Sequence, residues 1–166
     1  MLSYKDLNII YQGGNLSVAN CKLISLEGCP QHITGEFYCH NNNKLMSLVG
    51  GPQHVNNSYI CTNNNLTDLS GCASNIKQDL SFENNPRIIS MVGIHKIIKS
   101  CNRIYFSSYN IIHGGIGLLL IGNLTTISAD SVPFQIIRKY LGSGTKGMME
   151  CSKELTAKGY APYAKL

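Results

Sequence analysis

Apolar residues in the first two thirds of the chain recur every 21 or 22 positions. The tetrapeptide SLEG at 25–28 returns as SLVG at 47–50, DLSG at 68–71 and SMVG at 90–93. The apolar residue ahead of each tetrapeptide keeps the same period: Leu23, Leu45, Leu66 and Ile88. Another apolar position follows each glycine: Ile33, Val55, Ile76, and Ile97 or Ile98. So many positions sharing one period predict a repeat architecture rather than a single globular core.

Each repeat also contains two apolar residues with one residue between them, a spacing that is typical of a short strand with one buried face. These pairs are Leu16 and Val18, Phe37 and Cys39, Tyr59 and Cys61, Leu80 and Phe82, and Ile104 and Phe106. One unit is too small to bury its own apolar face, so we expect the units to stack around a continuous core. The last spacing lengthens to 24 residues, which indicates a less regular repeat near residue 104.

Asparagines follow the strand pairs at a fixed distance. Asn42, Asn64 and Asn85 each lie three residues after the second apolar residue, and Cys21 takes this position in the first repeat. We expect these amides to point inward and to bond the backbone of their own and the next coil. Tyr109 stands where the last asparagine is expected.

The segment YICTNNNL at 59–66 resembles the L-x-L-x-x-N-x-L core of leucine-rich repeats, with Tyr59, Cys61, Asn64 and Leu66 at its fixed positions. The longer pattern L-x-SLEG-C-P…F-x-C-x-N-N is similar to short leucine-rich-repeat proteins of tailed bacteriophages. In those proteins the repeats precede a helical tail, and the ending KYLGSGTKGMMECSKELTAKGYAPYAKL resembles that tail. The resemblance implies an α/β repeat solenoid of about five coils that acts by binding and has no catalytic motif.

Three regions are predicted. Residues 1–13 form an N-terminal cap, residues 14–111 form the leucine-rich-repeat solenoid, and residues 112–166 form a C-terminal cap. Within the last region we expect helices at about 131–141 and 146–158, the second with an apolar stripe of Met148, Met149, Cys151 and Leu155. The segment Leu118–Ile127 is either a last strand or a short docking helix.

Charge and composition narrow the choice of partner. Charged residues make up 14% of the chain, and no apolar stretch approaches the roughly 20 residues of a membrane span. No secretory signal begins the sequence, so we expect the host cytoplasm, or the virion if the protein is structural. Residues 1–86 carry a balance of −2 and residues 87–166 a balance of +7. The basic half leaves nucleic-acid binding as an alternative, although it contains no arginine cluster.

The cysteines and histidines are interpreted as structural. Cys39 and Cys61 share a strand column with Val18, Phe82 and Phe106, which indicates an apolar interior. No C-x-x-C motif is present, so no metal site and no cofactor are predicted. His32 and His54 occupy the same repeat position and should lie about 5 Å apart, as expected for neighbouring strands. An enzyme built on His32, His54 or Cys101 remains a less favoured alternative.

Function is expected on the outward strand residues, since solenoids present them as one surface. The predicted protein-binding residues are Glu36, Tyr38, His40, Ile60, Thr62, Asp79, Glu83, Arg103 and Tyr105. Aromatic and arginine side chains are frequent interface anchors, whereas the three carboxylates disfavour nucleic acid at this surface. We therefore expect a non-enzymatic protein that engages a host or phage protein, with a structural virion protein as the alternative.

Overall fold

Short parallel strands dominate the structure, a computed structural model that describes residues 2–166. The largest sheet has six strands that follow one another in chain order, all parallel. They are β1 (Leu16–Ser17), β3 (Phe37–Tyr38), β5 (Tyr59–Ile60), β7 (Asp79–Ser81), β9 (Arg103–Tyr105) and β11 (Thr126–Ser128). Five of these strands match the predicted pairs, and β11 overlaps the segment 118–127, for which a last strand or a docking helix was predicted.

Two smaller sheets connect the return segments of the repeats. The first contains β2 (His32–Ile33), β4 (His54–Val55) and β6 (Asn75–Ile76), and Ser100 and Gly122 extend it through single bridges. The second pairs β8 (Ser90–Met91) with β10 (His113–Gly114), and a bridge between Ser3 and Ser25 lies at the equivalent position near the N-terminus. Equivalent residues of successive repeats therefore lie beside one another on more than one side of the chain.

The helices lie mainly in the C-terminal third. They are α1 (Ile94–Ile97), α2 (Val132–Arg138) and α3 (Gly144–Ala157), with 3-10 turns at Tyr4–Leu7, Ser108–Asn110, Ile116–Leu120 and Ala161–Ala164. The segment 118–127 thus holds both predicted elements, the end of a 3-10 turn and the start of β11. Among residues 2–166, no helix combines the length and apolar character needed to cross a bilayer.

The periodic apolar positions form the core. All ten residues of the five strand pairs are buried, as are Leu23, Leu45, Leu66 and Ile88. One position differs from the prediction of Ile97 or Ile98. The parallel bridge between Asn75 and Ser100 places Cys101, itself buried, beside Ile76. Ile98 is also buried, but it lies at the end of the inserted α1 turn.

The paired asparagines of each repeat have two separate structural tasks. Asn20, Asn41, Asn63 and Asn84 adopt the left-handed backbone conformation, with φ between 54° and 59°. Asparagine tolerates this conformation better than most residues, so these positions turn the chain out of each strand. The following residues, Asn42, Asn64 and Asn85, are buried and point inward.

The inward asparagines bond the preceding coil, not the next one as the sequence predicted. The Nδ2 of Asn64 donates to the carbonyl of Cys61 in its own coil and to the carbonyl of Cys39 in the preceding coil, both at 3.0 Å. Asn42 and Asn85 make the same pair of bonds. Each amide therefore satisfies backbone groups that the turn leaves without a partner in the interior.

The irregular fifth repeat is explained by two local changes. The α1 turn accommodates the extra residues before β9. Ser108 is the buried polar residue of this turn, and its Oγ accepts bonds from the backbone N–H groups of Asp130 and Ser131 in the segment that follows β11. Tyr109, at the expected asparagine position, is 77% exposed instead.

Aromatic contacts connect the last coils to the C-terminal helices. The ring of Phe106 stacks on Phe82 at 5.4 Å and meets the edge of Phe134 from α2 at 4.8 Å. Tyr163 contacts Phe134 at 5.7 Å, and its hydroxyl donates to the carbonyl of Ile111 at 2.8 Å. The residues after Ser128 are thus packed on the end of the repeat core.

The predicted apolar stripe of α3 needs one correction. Cys151 and Leu155 are buried and Met148 is partly buried, but Met149 is 59% exposed. The residues 148, 151 and 155 follow helical spacing and share one face. Met149 is one position from Met148 and therefore turns about 100° away from that face.

Candidate protein-binding strand face

The outward residues of the six-stranded sheet, here called the strand face, lie in columns set by the strand register. The central column contains, in chain order, Ser17, Tyr38, Ile60, Ser81, Tyr105 and Ser128. Adjacent members are on neighbouring strands, about 4.8 Å apart. The structure therefore brings Tyr38, Ile60 and Tyr105 into one line across four successive strands.

Tyr38 is held in place by its neighbours on the same strand segment. Its hydroxyl donates a hydrogen bond to the carboxylate of Glu36, which raises the pKa of Tyr38. Its ring lies edge-on to the imidazole of His40, with 6.0 Å between ring centroids. The aromatic side chain therefore has fewer orientations available to lose when a partner covers it.

Arg103 and Asp79 form a two-bond ion pair beside the central column. The Nε of Arg103 donates to Oδ1 of Asp79 at 2.7 Å, and Nη2 donates to Oδ2 at 2.9 Å. This pairing raises the pKa of Arg103. Because the guanidinium is partly exposed, the pair adds little to stability, but the planar fork fixes the direction in which the arginine points.

A small residue interrupts the apolar line. Ser81 is only 7% exposed, whereas Ile60 and Tyr105 on either side are half-buried. Its hydroxyl donates to the carboxylate of Glu83 at 3.2 Å. The side chains of Ile60 and Tyr105 therefore flank a shallow dip, with the Glu83 carboxylate at one side.

The predicted site residues are all on this face. Glu83 and Arg103 are exposed, and the other seven are half-buried. The sequence analysis left a last strand open within Leu118–Ile127 but assigned no site residue to it, and β11 adds exposed Thr126 and Ser128 to the face. The buried pair Ile127 and Ala129 carries the same alternating signal as the earlier strands, but neither the asparagine nor a regular spacing accompanies it.

The charge on the strand face is acidic on balance. Glu36, Asp79 and Glu83 stand against the single cation Arg103 among the predicted residues. Several cations of the basic C-terminal half are engaged within the chain: Lys139 and Lys158 contact Glu154, and Arg138 donates to the carbonyl of Ala129. Neither the strand face nor these internally bonded cations form the clustered basic surface that is typical of nucleic-acid binding.

Cys39 and His40 do not form a reactive pair. Cys39 is fully buried and burial raises the pKa of its thiol well above the usual range, whereas His40 is on the outward side of the sheet. Strand alternation predicted this separation. A thiol with a raised pKa carries almost no thiolate near neutral pH and is a poor nucleophile.

Cys101 and His95 are a second Cys–His combination, and within residues 2–166 their side chains do not bond each other. The Sγ of Cys101 lies 3.3 Å from the carbonyl oxygen of Gln78 and 3.1 Å from that of Arg103, either of which can accept its single S–H, and burial raises its pKa to about 11. His95 lies on α1, where burial and the nearby Lys96 and Lys99 lower the pKa of its imidazole. Within residues 2–166, no hydrogen bond joins the two side chains.

His32 and His54 are register partners on β2 and β4, as their shared repeat position predicted. Their ring centroids lie 6.0 Å apart and the ring planes are tilted by 44°. Asn75 continues the column and approaches Nδ1 of His54 at 3.4 Å. In the part of the chain that the structure describes, no group of three or more His, Cys, Asp or Glu side chains converges as metal ligands.

Comparisons with protein-family models, with curated proteins and with solved structures found no match to this chain.

Proposed function

We propose that this protein is a leucine-rich-repeat-like solenoid with a C-terminal helical cap, and that it binds another protein through its strand face without catalysing a reaction. The observation that carries the proposal is the column in which Tyr38, Ile60 and Tyr105 fall into register. Aromatic anchors at the centre of a surface, surrounded by polar groups, are the usual composition of an interface that is not permanent.

The rigidity of the strand face supports the same function. Each strand is fixed by backbone bonds to its neighbours, and the inward asparagines fix the turns that follow. Tyr38 and Arg103 are further restrained by Glu36 and Asp79. A surface ordered before binding loses little conformational entropy on association, which favours affinity.

The resemblance to short leucine-rich-repeat proteins of tailed bacteriophages suggests the partner. A phage protein of this kind engages a host factor or another phage protein, and it acts in the host cytoplasm. The acidic balance of the strand face favours a partner with basic residues around an apolar centre.

A pull-down from lysate tests the proposal. The wild type is compared with a Tyr38→Ala, Ile60→Ala, Tyr105→Ala variant and with a Gln31→Ala, Gln53→Ala, Lys77→Ala control, whose three residues are exposed and adjoin β2, β4 and β6 of the smaller sheet. Circular dichroism first shows that all three are folded. We expect one protein to be retained by the wild type and the control and lost by the strand-face variant. Equal retention by all three would place binding elsewhere.

The second candidate is a structural protein of the virion. The observation that favours it is the open sheet, because β1 and β11 each have one neighbour and can pair with a further strand. Fractionation of infected cells separates the two functions. A virion protein stays with purified particles, whereas a protein that binds a host factor remains in the free fraction.

A further inference from the structure

A second surface of the molecule is apolar and basic, and it is separate from the strand face. Its main column follows the periodic leucines by one residue and contains Ile24, Met46, Thr67, Ile89 and Ile112. Backbone hydrogen bonds join parts of this column. The N–H of Thr67 donates to the carbonyl of Met46 at 3.2 Å, and the N–H of Ile112 donates to the carbonyl of Ile89 at 2.9 Å. We call this column, with the residues described next, the turn face.

The apolar side chains of the turn face are unusually open to solvent. Met46, Ile89 and Ile112 are 44, 48 and 53% exposed. A parallel column adds Val49 at 62% and Val92 at 46%. Scattered apolar surface residues are ordinary, but these five exposed side chains fall in two columns and form a stripe that polar Thr67 and Ser70 interrupt in the third repeat. An apolar grouping of this kind marks an interaction surface.

A basic row runs along one side of the stripe. It consists of Lys22, Lys44 and Arg87, each one residue before a periodic apolar position and each exposed. None of the three has a salt bridge within residues 2–166. The Nη1 of Arg87 instead lies 3.9 Å from the sulfur of Met46, so the guanidinium leans over the stripe.

Acidic groups on this side are few. Glu27 is paired with Lys5 at 3.0 Å, and the Asp68 carboxylate accepts a bond from the backbone of Ser70 at 2.7 Å. The turn face is therefore apolar with a net positive edge, which is opposite in sign to the strand face.

We propose that the turn face binds an acidic amphipathic α-helix of another protein. The column from Ile24 to Ile112 makes four steps of about 4.8 Å, or about 19 Å in total. A helix rises about 5.4 Å per turn, so its apolar residues at i, i+3, i+4 and i+7 meet successive rows of the stripe over three to four turns. Aspartate and glutamate on one flank of that helix meet the basic row.

A recess at one end of the stripe favours a peptide over a membrane surface. A cavity of about 780 Å³ lies between the first two coils and is lined by Leu2, Lys22, Ile24, Asn43, Lys44 and Met46. A protruding side chain of a helix can enter such a recess, with its neighbouring carboxylate beside the lysines. A flat lipid surface would leave the recess unfilled.

Fluorescence anisotropy with synthetic helices of about 16 residues tests the proposal. The probe has a leucine stripe with glutamates on its flank, and the matched peptide has lysines in place of the glutamates. We expect the acidic peptide to bind and the basic peptide to bind at least about tenfold more weakly. Added salt should weaken the acidic complex, because the contact between opposite charges is screened.

Variants then locate the site. A Met46→Glu, Ile89→Glu variant should bind the acidic peptide about tenfold or more weakly than the wild type. A Lys22→Gln, Lys44→Gln, Arg87→Gln variant should reduce both the affinity for this peptide and the salt dependence of binding. The Tyr38→Ala, Ile60→Ala, Tyr105→Ala variant should bind the peptide as the wild type does. This arm keeps the test independent of the strand-face function.

Four results would overturn the proposal: no binding of the acidic peptide, equal binding of the basic peptide, binding that the turn-face variants leave unchanged, or loss only in the strand-face variant. Anionic vesicles and sedimentation complete the test. Vesicle binding that depends on Met46 and Ile89, without peptide binding, would identify a lipid surface instead. A dimer that the Met46→Glu, Ile89→Glu variant dissociates would identify a second copy as the occupant.

Discussion

Asn64 occupies the position of Asn42 one coil later, and its Oδ1 accepts a 2.7 Å hydrogen bond from the backbone N–H of Asn42. The Nδ2 of the same side chain donates to the carbonyls of Cys39 and Cys61. One buried amide thus satisfies three backbone groups that no water reaches. The inward asparagines are therefore structural components of the repeat rather than site residues.

Replacing Asn64 with alanine should lower the free energy of unfolding by about 2–4 kcal/mol, because it leaves buried donors and acceptors without partners. Urea unfolding followed by circular dichroism measures the loss. Asn43→Ala is the matched control, since Asn43 is exposed in the equivalent turn of the preceding repeat, and it should change stability very little. Equal effects of the two substitutions would contradict the structural role of the inward asparagines.

Gly71→Ala should be among the most damaging single changes in the chain. Gly71 has φ of +83°, and an added Cβ would lie 2.3 Å from the backbone nitrogen of Val49 in the preceding repeat. The left-handed conformation and the forced backbone shift together should cost about 3–5 kcal/mol. Chemical denaturation of the variant measures the cost.

Gly142→Ala separates the two causes. Gly142 has φ of +75°, but nothing lies within 4 Å of an added Cβ. Only the conformational cost of about 1–2 kcal/mol is therefore expected. If both variants lost the same stability, close stacking at Gly71 would not be what requires glycine there.

Much of the fold follows from the sequence because the repeat makes each position recur. Four or five occurrences of one position fix its burial, so the strand pairs and the inward asparagines were correctly placed. Where the period lapses, the prediction fails. The α1 insertion displaced Ile97 and Ile98 from the expected alignment, so that Cys101 lies beside Ile76 instead, and β11 lacked the asparagine signal that accompanied the earlier strands.

The strand face could be predicted from the alternation of residues along each strand, whereas the turn face could not. Strand alternation states which side of a sheet each residue occupies. Met46, Ile89 and Ile112 lie outside the predicted strands, where alternation assigns no side, and Ile89 and Ile112 directly precede β8 and β10. Their position next to Leu45, Ile88 and Ile111 gave no indication that they point outward until the backbone was known.

The thiols should react in an order set by burial. Cys21 is half-exposed, whereas the other six cysteines are buried. Burial raises the pKa of Cys29 to about 12 and that of Cys151 to about 11. Brief treatment of the native protein with iodoacetamide, followed by peptide mass spectrometry, should find Cys21 labelled first. Rapid labelling of Cys39 or Cys101 would indicate an activated thiol and would support the enzymatic alternative.

Glu154 should make stability depend on pH. Hydrogen bonds from Lys139, Lys158 and Tyr140 lower the pKa of its carboxyl from 4.5 to about 2. The ionised carboxylate therefore stabilises the folded protein fully above the unfolded value of 4.5 and loses this effect as the pH falls towards 2. Glu154→Gln should be less stable than the wild type near neutral pH, with the difference shrinking in acid.

Glu150→Gln is the control for this effect, because Glu150 is exposed on the same helix and has no salt bridge within residues 2–166. Its stability difference from the wild type should be small at every pH. Thermal unfolding of the three proteins across the acid range gives the comparison. A Glu154→Gln difference that stays constant with pH would show that the substitution acts through packing rather than charge.

The most direct measurement of protein binding by the strand face is site-specific photo-crosslinking in cells that produce the protein. A photoreactive amino acid replaces Ile60 in the central column, or Lys77, which is exposed beside β6 of the smaller sheet, or Ile89 on the turn face. We predict that Ile60 crosslinks to a discrete protein and that Lys77 does not, whatever Ile89 captures. Crosslinks from Lys77 alone, or none from Ile60 in a folded variant, would contradict the proposed function of the strand face.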